Sequence, residues 1–131
     1  MSEDPRPAVQ LTAPAAPGSA RLARILAAGV ASDAGLSIDD TEDLRIAVSE
    51  LVALLVDGIG DARESIMVRY RVRVGEVTVD GERPPVPGHL DTTEVDDLAL
   101  EILRVVVDDH SFSADKTGRR FHLVKRSRPG P

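Results

Sequence analysis

Apolar residues return along this chain at two spacings, and the change from one to the other marks out the elements. Counting from Leu22, the positions Leu22, Ile25, Leu26, Gly29 and Val30 recur at i, i+3, i+4, i+7 and i+8, which lines one face of an α-helix. Ser19 is a good N-cap for it and Gly35 a left-handed stop. A second helix is expected over residues 39–57, opened by Ser37 with Asp40 three residues on as a capping box; its stripe is Leu44, Val48, Leu51 and Leu55, and Gly58 and Gly60 end it. The period then drops to 2: Ile66, Val68, Tyr70, Val72 and Val74 alternate with Met67, Arg69, Arg71 and Arg73, the signature of a half-buried strand. Gly75-Glu76 turns it into a second strand over 77–80, making a hairpin.

Residues 82–94 carry Pro84, Pro85, Pro87 and Gly88 and are expected to form a loop, since no helix or central strand tolerates that composition. Thr93 with Asp96 makes another capping box for a third helix, on Leu98, Ile102, Leu103 and Val106, ending near Asp109. Short strands over 111–114 and 120–125 follow, joined by a turn from Asp115 to Gly118. Before the first helix, residues 8–12 form a strand, preceded by a proline-rich flexible tail over 1–7; residues 127–131 form a second tail. The order β, α, α, β, β, α, β, β within one domain over 8–126 predicts a two-layer α/β (α+β) sandwich. Three helices cover one face of its sheet, and the other face shows arginines to water.

Composition narrows the chemistry. The chain has 131 residues, no cysteine, and aromatics at only 2%. The core is therefore aliphatic, disulfides and thiolate catalysis are excluded, and there are few platforms for stacking bases. No apolar run is long enough to span a bilayer, and the acidic, proline-rich start does not read as a signal peptide; a cytoplasmic protein is expected. The formal charge is −6, which argues against a general nucleic-acid binder. Six of the 16 basic residues (Lys116, Arg119, Arg120, Lys125, Arg126 and Arg128) follow Asp115. That asymmetry could steer an acidic partner, but without aromatics or a groove-sized helix nucleic acid is not expected.

The stretch Asp43-Leu44-Arg45-Ile46-Ala47-Val48-Ser49-Glu50 inside the second helix, together with the element order, resembles the anti-sigma factor / serine kinase family of the GHKL (Bergerat-fold, histidine kinase-like) ATPase superfamily, over residues 9–125. The resemblance implies a Bergerat-like mixed sheet, ATP with magnesium as cofactors, and a sigma factor or anti-anti-sigma protein as partner. It places the base that activates the attacking group at Glu50 and the magnesium-binding Asn position at Leu54. The adenine-binding Asp of an Asp-x-Gly-x-Gly signature would be Asp80, one residue out of register. It also implies partner contacts through the first helix at Arg21, with Arg24 one turn on.

The residues themselves depart from that pattern. Leucine offers no ligand to magnesium, which needs hard oxygen donors, although Glu50 and Leu54 share a helix face. Asp80-Gly81-Glu82-Arg83-Pro84-Pro85 lacks both in-frame glycines of the signature. Where a glycine-rich run would cradle phosphates, the chain has Asp91-Thr92-Thr93-Glu94-Val95-Asp96-Asp97. Like charges about 4 Å apart repel by roughly 1 to 4 kcal/mol, so weak or no ATP binding is expected.

Simpler readings cover the other charged positions. Glu50 beside Leu54 reads as a solvated carboxylate, Arg69, Arg71 and Arg73 as the wet face of a sheet, and the acids of 91–97 as complements to a helix dipole. His89, His110 and His122 show no ligand spacing, and no metal site is expected. The expected function is that of an anti-sigma-like regulator sequestering a partner without ATP hydrolysis. Two alternatives stand beside it: an ATP-dependent serine kinase acting on an anti-anti-sigma protein, with Glu50 as base and Asp80 at adenine, and a homodimerising scaffold.

Overall fold

The computed structural model describes residues 9–57, 64–86 and 95–128. Along them run β1 (Val9–Pro14), α1 (Ser19–Ala34), α2 (Ile38–Val56), β2 (Ser65–Arg73), β3 (Glu76–Arg83), α3 (Asp97–Val106), β4 (Asp109–Asp115) and β5 (Gly118–Arg126). The strands form one sheet in the order β1-β2-β3-β5-β4. Every pairing is antiparallel, where a mixed sheet was expected. The reason is β5: it slots between β3 and β4, which themselves run parallel, and so separates the pair that would have made the sheet mixed.

The alternation read in β2 holds. Ile66, Val68, Tyr70 and Val72 are buried on the helix side together with their cross-strand partners Val77, Val79, Phe121 and Leu123, while Arg69 and Arg71 lie on the open face, Arg71 3.4 Å from Asp80. The hairpin turn falls at Val74-Gly75, one residue earlier than expected, and Gly75 takes the positive φ of 78° that the turn requires. β3 runs on to Arg83 because residues 81–83 keep pairing with 119–121. The expected loop therefore loses its first two residues to the strand, and residues 87–94 lie outside those described, as do Gly58, Gly60, the tail over 1–7 and residues 129–131; of the expected tail over 127–131, Ser127 and Arg128 are instead held against Gly75 and Asp40. β4 and β5 are likewise longer than expected. Asp115 closes their turn by accepting the Thr117 amide at 2.8 Å. Gly118 is needed there, since a Cβ would sit 2.3 Å from the Arg83 carbonyl oxygen.

α2 forms as expected. Ser37 accepts the Asp40 amide at 3.0 Å, and Leu44, Val48, Leu51 and Leu55 are fully buried, each contributing roughly 1.5–3 kcal/mol. α1 departs from expectation at its start and on its face. Gly18 holds the N-cap position, and Ser19 donates its hydroxyl back to the Pro14 carbonyl at 2.5 Å, stitching the helix to β1. Gly35 ends the helix at φ 78° as predicted, closing it with bonds to Ala31 and Ser32. The buried face is Ala23, Ala27, Val30, Ala31 and Ala34, whereas Leu22 and Ile25 are 48% and 56% exposed. Small side chains let α1 lie close to both the sheet and α2. The approach is close enough for the buried Tyr70 hydroxyl to donate to the Ala23 carbonyl at 2.7 Å; burial raises the tyrosine pKa.

α3 begins at Asp97, with Asp96 itself as the cap accepting the Leu98 amide at 3.2 Å; Thr93 lies outside the described residues. The helix ends at Val106, and Asp109 already belongs to β4. Of its expected stripe, Leu103 and Val106 are buried, Ile102 is half-buried and Leu98 is 66% exposed.

A buried ion cluster joins the two layers. Lys125, on the helix-facing side of β5, is 2% exposed; its ammonium donates to the Val106 carbonyl at 2.9 Å and lies 3.5 Å from Asp40 and 3.4 Å from Asp43. Arg128 completes the cluster, with its amide on Asp40 at 3.0 Å, its Nε 3.2 Å from the same carboxylate and its Nη2 on Asp43. The basic residues that stood out after Asp115 are largely consumed this way: Arg119 bonds backbone carbonyls of α2, Arg126 pairs with Glu76 and Arg120 with Asp115. No helix among the described residues is long and apolar enough to cross a membrane.

Burial would raise the Asp40 pKa, but the Arg128 amide, the Lys125 charge, the Ser37 contact and the Arg128 charge together leave it lowered. Removing one partner of such a buried group is strongly destabilising, so Asp40→Ala should lose about 3–5 kcal/mol at neutral pH, read from the urea midpoint. A depressed carboxylate contributes fully above its unfolded pKa of about 3.9 and loses that contribution as pH falls through the lower folded value. The stability gap between wild type and Asp40→Ala should therefore hold at pH 5 to 7 and narrow progressively below about pH 4.

Candidate functional site

Glu50 sits on the outward ridge of α2, half-buried, between two grooves. On one side, a groove of about 490 Å³ runs between α1 and α2, lined by Ala20, Arg24, Ile46, Ser49, Glu50 and Ala53 among others. On the other, a groove of about 300 Å³ runs between α2 and α3, with Glu50, Ala53, Leu54 and Asp57 facing Asp96, Leu98, Ala99 and Ile102. The four-residue spacing places Glu50 and Leu54 along the same groove. Leu54 is half-buried and packs against the core.

Two buried side chains of β5 were missed by sequence reasoning. Arg119, 2% exposed, donates through Nη1 to the carbonyls of Leu54 at 2.7 Å and Asp57 at 2.8 Å, satisfying the end of α2 where a helix leaves acceptors over. The Phe121 ring lies directly over Gly81: a Cβ at Gly81 would stand 2.2 Å from its Cε2. The signal was the parity of β5, where Arg119, Phe121, Leu123 and Lys125 share one face. Two charged residues on a buried parity imply internal partners.

Asp80 lies on the opposite side of the sheet. It is in register with Arg69 and His122 on the open face, and its carboxylate is 2.7 Å from His122 Nδ1. It does not face the α2–α3 groove; Gly81 holds the helix-facing position next to it, beneath Phe121. The one-residue shift weighed from the sequence thus carries the carboxylate through the sheet, because strand side chains alternate.

Magnesium takes about six oxygen ligands in a near-octahedral shell. Leu54 supplies none from its side chain, and its carbonyl already accepts Arg119. Asp96 is bound to the start of α3, and no group of three or more potential metal-ligating side chains converges among the described residues. The Leu54 side chain thus offers magnesium no ligand; residues 87–94 lie outside those described.

The two arginines expected on α1 have different environments. Arg21 is exposed, beside Leu22 and Ile25. Arg24 is half-buried and donates to the Ser49 hydroxyl at 3.2 Å, which ties α1 to the turn of α2 that carries Glu50. A further hollow of about 410 Å³ at one end of the sheet, bordered by Thr12, Met67, Arg83, Pro85 and Arg120, contains none of the residues expected to act on a nucleotide.

With this geometry in hand, comparison with solved structures fixes the fold. The chain superposes on the crystal structure of the RsbU and RsbW domains of Rv1364c from Mycobacterium tuberculosis with a TM-score of 0.70 and 20% sequence identity, over 92% of this chain and 32% of that one. The two share a fold, here a five-stranded antiparallel sheet with three helices. This chain thus corresponds to about a third of that longer one. No protein-family model matches the chain, and no curated protein matches it.

Filling the space above Gly81 with a methyl group should be costly. Gly81→Ala should lose about 1–3 kcal/mol by overpacking, and Phe121→Leu in the same molecule should recover part of that loss. A double-mutant cycle by urea unfolding reads the coupling; additive single effects would show that the ring does not fill that site.

Proposed function

We propose that this chain is an anti-sigma-like regulatory module that sequesters a protein partner, a sigma factor or an anti-anti-sigma protein, without hydrolysing ATP. The observation that carries this reading is the outward face of α1. Leu22 and Ile25 stand in solvent although the helix has a full buried face of its own, and Arg21 and Arg24 border them. Exposed bulky aliphatics beside cationic side chains form a surface suited to an apolar partner helix with acidic edges. The mechanism is occlusion: α1 covers the partner surface needed elsewhere, and release comes by competition, with no phosphotransfer step. The α2 helix supports the same reading, since Leu54 has no side-chain oxygen for a metal and its carbonyl already accepts from Arg119. The fold similarity makes the partner class reasonable, as the related structure contains an RsbW domain.

Co-purification from the native cell tests the proposal. Arg21→Glu and Ile25→Asp should each lose the sigma factor or antagonist captured by the wild-type chain, while their melting temperatures stay within a degree or two of wild type. A thermal melt with magnesium-ATP should show no shift, whereas saturation at 100 times the dissociation constant would add about 2.7 kcal/mol. A clear ATP shift would favour the kinase reading with Glu50 as base. A stable dimer dissociated by Ile25→Asp, with no other protein captured, would favour the scaffold.

A further inference from the structure

We infer that the groove between α2 and α3 is a docking site for a basic amphipathic helix of a partner protein. The inference does not depend on the reading above, which uses the outward face of α1. Its first support is the floor. Ala53, Leu54, Ala99 and Ile102 make an apolar trough, walled by Leu98 at 66% exposure. Val105, 73% exposed and one helical repeat beyond Leu98, continues the apolar line along α3. α3 buries only Leu103 and Val106 of its apolar residues, so a second apolar face of a short helix is presented to solvent beside the trough.

The second support is the rim. Among the described residues, the charged ones lining the groove are Glu50, Asp57 and Asp96, all acidic, with no Lys or Arg. The third is shape. Arg119 donates to the Leu54 and Asp57 carbonyls and so holds the end of α2 that forms one wall. What remains is a shallow trough of about 300 Å³, suited to a row of aliphatic side chains spaced i, i+3/i+4, i+7.

Charge selects the occupant. A second copy placed symmetrically on this groove would set Glu50, Asp57 and Asp96 against the same three carboxylates. The basic C-terminal stretch of this chain is engaged elsewhere, with Arg128 held on Asp40 and Asp43 at the opposite end of α2. A partner helix with leucines on one face and Lys or Arg along both flanks satisfies the floor and the rim together, as acidic-rimmed apolar grooves do for basic amphipathic targets.

The probe is a fluorescein-labelled 15-residue helical peptide with Leu at i, i+4, i+7 and i+11 and Lys on both flanks, titrated by anisotropy into the full chain; its isomer carries Glu at every Lys position. The basic peptide should bind at least tenfold tighter than the acidic one and weaken several-fold between 50 and 300 mM salt. Leu98→Ser and Glu50→Lys should each weaken it about tenfold or more. Both side chains point to solvent or are half-buried, so unchanged melting curves serve as the folding control. Arg21→Glu and Ile25→Asp should leave binding unchanged, which separates this site from the α1 face. Amide shifts in an NMR titration should concentrate on residues 50–57 and 96–102. Equal binding of the two peptides, no binding at millimolar peptide, insensitivity to Leu98→Ser and Glu50→Lys, or shifts confined to α1 would each overturn the proposal.

Discussion

The Lys125 ammonium, held between Asp40, Asp43 and the Val106 carbonyl, decides how the helix layer sits on the sheet. It projects from the last strand in sequence, which occupies the fourth place in the sheet order. It reaches the first turns of α2 and the last turn of α3 at once. A buried cation is expensive unless its partners come to it, so the start of one helix and the end of another are fixed relative to the same strand. Arg128 repeats the connection from outside. The aliphatic core would tolerate small sliding of α2 and α3, because leucines and valines pack without direction. The ion cluster does not, and the spacing of the α2–α3 groove follows from it.

At the other end of α2, a second basic side chain from the same strand face holds the helix terminus. Arg119 takes up the helix's terminal carbonyls, including that of Leu54, and Phe121 fills the space that Gly81 leaves open. The oxygen that a leucine position still has, its backbone carbonyl, is spent on a guanidinium. Beside it runs a helix-lined groove with carboxylates at its edges. Such a surface is suited to side chains of a protein through shape and charge, and the outward face of α1 offers a second surface of opposite charge character on the far side of the α2 ridge.

Much of the architecture was legible in the sequence because its signals are local. The alternation in β2 needs only neighbouring residues on opposite faces, the Ser37 cap only a hydroxyl three residues before an amide, and the Gly35 stop only a residue free to adopt positive φ. The α1 stripe was misread for an equally physical reason. Periodicity identifies that one face is apolar, and bulky Leu22 and Ile25 drew the assignment. The helix instead buries its alanines, since close contact with Tyr70 and α2 rewards small side chains. The start of α3 and the length of β3 were misplaced because capping and pairing depend on partners elsewhere in the chain.

The sequence alone determined the order of elements and the aliphatic core, since each follows from residue type and spacing within a few positions. Only the tertiary structure decided which face Asp80 occupies, what fills the space over Gly81, where the basic residues of the last strand find their partners, and which apolar residues remain in solvent. Those are matters of register and packing between segments up to 88 residues apart, as Arg128 and Asp40 are. A strand displaced by one residue reverses every side chain it carries, and no local pattern records which of the two registers the rest of the molecule will select.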